Sequence, residues 1–142
     1  MRRRIDTEVE SILKEIEELR MLKDLKEKKI ADEEGYADKI ARRLRGMKTT
    51  QLRKFFDSIR KIKEELKDGG WEDVEAEFYL LKPKIAHARG RNLIPEEFNE
   101  LMKVCMRKVD IGEGRDKKES FEKMVDFLEA VVAYHRYYNP RG

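Results

Sequence analysis

Basic side chains are concentrated in one stretch of this sequence, from Tyr36 to Lys63. The stretch holds ten lysines and arginines against the two acids Asp38 and Asp57, whereas the whole chain has a formal net charge of only +3. A segment this positive repels itself unless an anion neutralises it, so the pattern predicts a polyanionic partner. The alternative is a solvated face in a protein of which 44% of the residues are charged.

Residues that catalysis needs are few and are not spaced for it. The two histidines, His87 and His135, lie in no Glu-x-x-His or His-Glu-x-x-His pattern that would direct two metal ligands to one point. Neighbouring glutamates such as Glu64 and Glu65 point about 100° apart on a helix, and no phosphate-binding glycine loop is present. We therefore expect a protein that is not an enzyme and that uses no metal or cofactor.

The basic stretch is typical of two helices joined by a tight turn. Apolar residues recur there at steps of three and four, which places one stripe of a helix against a core: Leu52, Phe55, Phe56, Ile59, Ile62 and Leu66. Thr49 or Thr50 is predicted to cap this helix, and Gly46 to end the preceding one with a positive φ. The preceding helix is predicted from Asp32 or Glu33 to Arg45.

The N-terminal region predicts one long charged helix. A capping box over Thr7–Glu10 indicates its start, and it should run to about Lys29, behind a short basic arm at residues 2–4. Apolar residues form a near-heptad seam along it: Val9, Ile12, Leu13, Ile16, Leu19, Leu22 and Leu25. Such a seam needs a partner helix, either in the same domain or in a second copy.

Three further helices are predicted after Gly69 and Gly70. The first begins at Trp71 and should kink or break near Lys82, because Pro83 lacks a backbone donor.

The second of these helices opens at Pro95, and the third opens with a capping box over Asp116–Glu119. We therefore predict an all-α fold, a compact bundle of five to six helices in one domain over residues 1–142. Residues 1–35 form its arm and long helix, and residues 36–138 form its core.

The single Cys105 excludes an internal disulfide, and no long apolar run is present, so we expect a cytoplasmic protein with Cys105 as a buried filler.

Three strings of the sequence carry a resemblance to a known family: Met47–Phe56, Leu80–Arg91 and Phe127–Tyr134. In order and spacing they resemble the small-subunit family of type III-A CRISPR–Cas effector complexes, the Csm complexes. The resemblance extends from about Tyr36 to Tyr138. Its most specific part is Thr-Thr-Gln-Leu-Arg-Lys-Phe-Phe, since helix propensity alone does not explain that order.

The resemblance implies a small helical protein without catalytic activity that serves antiviral defence. Several copies would line up along the guide RNA and its single-stranded RNA target, next to backbone subunits that supply the target-cleaving carboxylate and a large subunit at the end of the row, with no membrane involved. Phosphate contacts from lysine and arginine give the sequence-independent binding that many different guides require. By the resemblance, the RNA-binding residues are Lys48, Gln51, Arg53, Lys54, Lys84, Arg89 and Arg91. Charge and helix face add Arg42, Arg43, Arg45, Arg60 and Lys61.

Some of these residues have a structural alternative. Gln51 is equally well placed to bond the threonine cap, and Lys84 and Arg89 to answer the acidic block over Glu72–Glu77. His87 is expected in local packing.

Two other functions fit parts of the sequence. The segment Ala37–Phe56 matches a DNA-binding helix-turn-helix coarsely, with Gly46 in the turn and Arg53 early in the second helix. The seam from Val9 to Leu25 fits a coiled-coil adaptor without a nucleic-acid role.

Overall fold

The structure is a computed structural model that describes residues 5–141. Over that range the chain forms seven α-helices, six of them of eight residues or more, and two 3₁₀ turns at Leu22–Asp24 and Trp71–Asp73. The helices are α1 (Thr7–Glu17), α2 (Glu27–Ala31), α3 (Tyr36–Arg43), α4 (Thr49–Leu66), α5 (Glu75–Gly90), α6 (Glu96–Val109) and α7 (Gly114–Tyr138). The predicted all-α bundle is confirmed. No helix among the described residues is both long and apolar enough to cross a membrane.

Helix α7 is the element on which the rest of the bundle packs. It contacts α2, α3, α4, α6 and both 3₁₀ turns. Its inward side chains are at most 2% exposed: Phe121, Met124, Val125, Phe127, Leu128 and Val131. Burying an apolar side chain of this size stabilises a fold by about 1.5–3 kcal/mol, so α7 holds the helices that carry the basic stretch. Cys105 of α6 is buried as predicted.

The predicted single helix from Thr7 to Lys29 is wrong. Helix α1 ends at Glu17, the chain turns through Leu22–Asp24, and α2 begins at Glu27. The break allows α1 to pack on α3 and α6 while the 3₁₀ turn packs on α7. Burial of the seam thus outweighs helix propensity, which is a weak preference. All the seam residues but the half-buried Leu19 are buried inside this fold, which removes the main support for a coiled-coil adaptor.

Helix α5 begins at Glu75 and not at the predicted Trp71, and two predicted capping sites are also wrong. Asp6 rather than Thr7 caps α1, because its Oδ1 accepts hydrogen bonds from the backbone N–H groups of Glu8 (2.9 Å) and Val9 (3.3 Å). Helix α7 begins two residues before its predicted capping box. Asp116 of that box accepts a backbone N–H just ahead of the helix instead, at 3.0 Å. At the start of α1, Asp6 lies one residue before Thr7, and its carboxylate accepts from the free backbone N–H groups that the Thr7 hydroxyl was predicted to cap.

The turn between α3 and α4 differs from the prediction as well. Helix α3 begins only at Tyr36, and Gly46 does not have a positive φ; among the described glycines only Gly112 does. A backbone hydrogen bond closes the turn without help from Gly46. The predicted threonine cap is absent: Thr49 and Thr50 lie inside α4, and Lys48 precedes the helix with no side-chain cap. The Thr49 hydroxyl contacts the buried His135 of α7 instead.

Helix α5 runs through Pro83 without the predicted break near Lys82. The proline ring lies at the surface. The opposite face of the helix is buried through Phe78, Leu81, Ile85 and Ala88. A proline inside a helix costs about 3 kcal/mol, which the burial of this apolar face offsets.

Candidate nucleic-acid interface

The outward side of α4 is a ridge of basic side chains. Arg53, Lys54 and Arg60 are exposed, and their side chains form no hydrogen bond or ion pair with another described residue. Lys61 is exposed on the same side of the helix. The other side of α4 is buried as predicted through Leu52, Phe56, Ile59, Ile62 and Leu66. The core thus holds α4 with its cations in solvent.

The start of α4 lies beside the end of α5, and Glu65 near the end of α4 lies beside Glu77 near the start of α5, so the two helices are antiparallel. The groove between them is here called the α4–α5 groove. Its volume is about 300 Å³. It is lined by Gln51, Lys54, Phe55 and Ser58 of α4, by Leu81, Lys84, His87 and Ala88 of α5, and by Leu93 in the loop that follows α5. The structure therefore brings Lys84 close to Gln51 and Lys54, which lie far from it in the sequence; all three are predicted RNA-binding residues.

The α4–α5 groove has an apolar floor and a positive rim. Phe55 is half-buried and packs against Phe98 of α6, with ring centroids 5.7 Å apart. Leu93 remains 43% exposed, which is unusual for a large apolar side chain of this protein. Lys54 and Lys84 stand on opposite rims, and neither forms an ion pair with a described carboxylate. Such a surface attracts an anion that also has an apolar part.

The other end of the same helix pair is acidic. Glu65 of α4 shares a hydrogen bond with Glu77 of α5, and this bond, together with burial and the nearby charge, raises the pKa of the Glu65 carboxyl above its ordinary value. Lys61 opposes this rise. The sign of the charge thus changes along the groove, so an anion is drawn to the end that carries Lys54 and Lys84.

A second basic cluster lies at the turn between α3 and α4. Arg45 and Lys48 line a surface depression of about 420 Å³ with Arg141, near the end of the chain. Arg141 was not among the predicted residues, because the sequence gives no signal that its end returns to this turn. Arg91, at the end of α5, is exposed and has no ion-pair partner among the described residues.

Arg42, another predicted RNA-binding residue, belongs to a network of hydrogen bonds. Its guanidinium pairs with Glu34 and Asp38 and donates to the Tyr138 hydroxyl at 2.9 Å. Burial acts to raise the pKa of Asp38, but hydrogen bonds from Tyr138, the Glu34 backbone and Arg42 outweigh burial, and the net pKa is lowered. Because this network joins α3 to the end of α7, Arg42 has a structural role here.

Arg43 and Arg89 are also paired with carboxylates. Arg43 lies 3.4 Å from Asp6 and 3.3 Å from Glu8, so it ties α3 to the start of α1. Arg89 donates to Glu96 at 3.2 Å, and not to the acidic block Glu72–Glu77 that was its predicted structural partner. A phosphate would have to compete with these carboxylates, whereas the side chains of Arg53, Lys54 and Arg60 form no ion pair with a described carboxylate.

The histidines and other potential ligands are spread over the fold. His87 lines the α4–α5 groove, and His135 is fully buried. Within residues 5–141, no three side chains of His, Cys, Asp or Glu are grouped so that they would hold a metal ion. The arrangement is suited to binding an anion by charge and apolar contact.

The sequence was compared with known proteins. Residues 26–141 match the model of the Csm2 Type III-A family. Comparison with curated proteins and with solved structures gave no match. The match includes α2 to α7 and begins ahead of Tyr36, where the resemblance was expected to start. Both the basic ridge and the α4–α5 groove therefore lie inside the matched region.

Proposed function

Because the chain belongs to the Csm2 Type III-A family, the small subunits of type III-A CRISPR–Cas complexes, we propose that it binds the RNA backbone there as a non-catalytic subunit. Its ligands are the guide RNA and the single-stranded target RNA. Several copies line up along these strands in contact with one another and with the backbone and large subunits of the complex. It acts in the cytoplasm, in antiviral defence.

The observation that supports RNA binding is the contrast between two sets of cations. Arg42, Arg43 and Arg89 are paired with carboxylates of this chain, in which 30 acidic residues are available as partners. Arg53 and Lys54 have no such partner among the described residues. Unpaired cations concentrated on one helix gain most from phosphates, since each contact releases a condensed counterion.

The same surface favours binding without sequence preference. The ridge presents long exposed side chains rather than buried polar groups aimed at base edges, and such side chains contact phosphates of any sequence. A subunit that serves many guides requires this property. Each copy offers only a few phosphate contacts, so binding should strengthen when several copies share one strand.

Fluorescence anisotropy of the full chain tests this function. Two labelled single-stranded RNAs of equal length and unrelated sequence are titrated over a salt series. A labelled duplex DNA is titrated in the same way for comparison. We expect equal affinity for the two RNAs, falling with salt by a log–log slope of about −0.7 per phosphate contacted. Preference for the duplex DNA would favour the helix-turn-helix alternative. Binding to none of the three would contradict an RNA-binding role.

A further inference from the structure

We infer that the α4–α5 groove holds one unstacked nucleotide of the bound RNA, with its base on the apolar floor and its flanking phosphates on Lys54 and Lys84. This inference rests on the proposed function and deepens it, since it assigns a base-binding site to a surface so far described only by its charge.

The floor of the α4–α5 groove is apolar. A surface that binds phosphates alone needs cations but gains nothing from the half-buried Phe55 and the exposed Leu93 that line this groove. Leu93 stays 43% exposed in the free protein, so a ligand that covers it removes apolar surface from water. A nucleobase has apolar faces for such a floor, and unstacked bases of single-stranded RNA are the part that proteins cover in this way.

The rim supplies the polar contacts that a base and its ribose require. Gln51, Ser58 and His87 line the groove, and the side chains of Gln51 and His87 carry groups that donate and accept hydrogen bonds. The Ser58 hydroxyl donates to the Lys54 carbonyl at 3.2 Å and can accept a further bond. The Gln51 side chain has no hydrogen bond to another described residue. The groove volume of about 300 Å³ lies at the lower end of the range for small-molecule sites, which suits one nucleotide.

The charge pattern sets the direction in which the RNA strand passes over the α4–α5 groove. Lys54 of α4 and Lys84 of α5 line the groove from its two helices, whereas Glu65 and Glu77 share a hydrogen bond farther along the same pair of helices. A strand that followed the groove lengthwise would bring its phosphates onto this acidic pair. A strand that crosses at the lysine end places one base between two neutralised phosphates and avoids the repulsion.

A mostly apolar floor also keeps the site tolerant of sequence. Apolar and aromatic contacts with the face of a base do not depend on its identity, so all four bases fit. The inference is therefore compatible with a subunit that serves many guides.

The test compares two strands with the same phosphates. The full chain is titrated with a short oligouridylate and with the matching ribose–phosphate strand that lacks bases, because uridines stack weakly on one another in the free strand. We expect the base-bearing strand to bind about tenfold more tightly. Ser58→Phe fills the groove at an exposed position without changing any charge, and should bring the ratio close to one with an unchanged salt slope. Ser11→Phe, at an exposed position of α1, is the matched control and should keep the ratio.

A second measurement uses the unchanged protein. Oligouridylate that contains 4-thiouridine is photocrosslinked to it, and the adducts are mapped by mass spectrometry. Adducts at Phe55, His87 or Leu93 support the inference. Equal affinity of the wild type for the two strands would overturn the inference, and so would adducts confined to other surfaces. Either result would leave RNA binding intact and would leave the groove open to a protein partner. Binding to neither strand would instead overturn the proposed function, and this inference with it.

Discussion

The Nε2 atom of His135 lies 3.0 Å from the backbone carbonyl oxygen of Leu44, in the turn between α3 and α4. A carbonyl oxygen only accepts, so Nε2 carries the proton, and Nδ1 accepts from the Thr49 hydroxyl at 3.4 Å. His135 is completely buried. The last helix of the bundle thus fixes the turn that carries Arg45 and Lys48, and with it the start of α4.

We predict that His135→Ala destabilises the protein. The substitution removes one of the two hydrogen bonds at the Leu44 carbonyl, which also accepts from the Met47 N–H at 2.9 Å, and it opens a cavity in the core. Together these losses should lower the free energy of unfolding by about 2–4 kcal/mol. Urea denaturation followed by circular dichroism measures this. His87→Ala, at an exposed position, should change the free energy of unfolding by less than about 0.5 kcal/mol. Equal losses in the two variants would contradict the role of His135.

The network around Asp38 predicts a loss of stability in acid. The pKa of Asp38 is lowered in the fold, so its contribution is present above the ordinary aspartate pKa and is lost as the pH falls through the lowered value. Tyr138→Phe removes one hydrogen bond to a carboxylate that is only 3% exposed, and should cost about 1 kcal/mol at pH 7.

The Tyr138→Phe deficit should shrink below the folded pKa of Asp38, where the carboxyl is protonated. Urea denaturation at pH 7 and in acid measures the change. Tyr137→Phe is the control, because Tyr137 is 75% exposed and forms no hydrogen bond to a described residue. A deficit for Tyr138→Phe that is independent of pH would show that the hydroxyl does not act through the Asp38 charge.

The pair Glu65 and Glu77 predicts the opposite pH dependence. The pKa of Glu65 is raised in the fold, so its contribution is present below the ordinary glutamate pKa and is lost as the pH rises through the higher value. Glu77→Gln should therefore unfold at a higher urea concentration than the wild type at pH 7, with the two midpoints converging in acid. Glu64→Gln, one residue away on α4, serves as the control. A midpoint that rises equally in both variants would indicate a general charge effect instead of this pair.

Helical periodicity predicted α4, α6 and α7 well, because each of them buries one continuous face. The same signal failed in the N-terminal region, where a near-heptad seam fits one long helix as well as two short ones around a turn. The turn at Leu22–Asp24 is set by what it packs against, which is mainly α7, far away in the sequence. The caps failed for a local reason, since Asp6 and Thr7 are both good capping residues and only the backbone decides between them.

The candidate site was predicted as a set of residues but not as an arrangement. Charge and helix face added Arg42 to the residues that the resemblance implied, Arg53 among them, although Arg42 is paired with Asp38 and Arg53 is not. The spacing of four residues between Asp38 and Arg42 was a readable signal for that pair. The meeting of Lys54 with Lys84 was not readable, because it depends on the antiparallel packing of α4 and α5.

The most direct test of the account reverses the charge of the ridge. Arg53→Glu with Lys54→Glu is compared with the wild type by anisotropy against single-stranded RNA over a salt series, after circular dichroism has shown an unchanged fold. The control, Lys28→Glu with Arg115→Glu, makes the same change in net charge at exposed positions of α2 and α7. We predict weaker binding and a log–log salt slope shallower by about 1.4 for the ridge variant only, since two phosphate contacts are lost. Wild-type affinity and slope in the ridge variant would contradict the assignment of this surface to RNA.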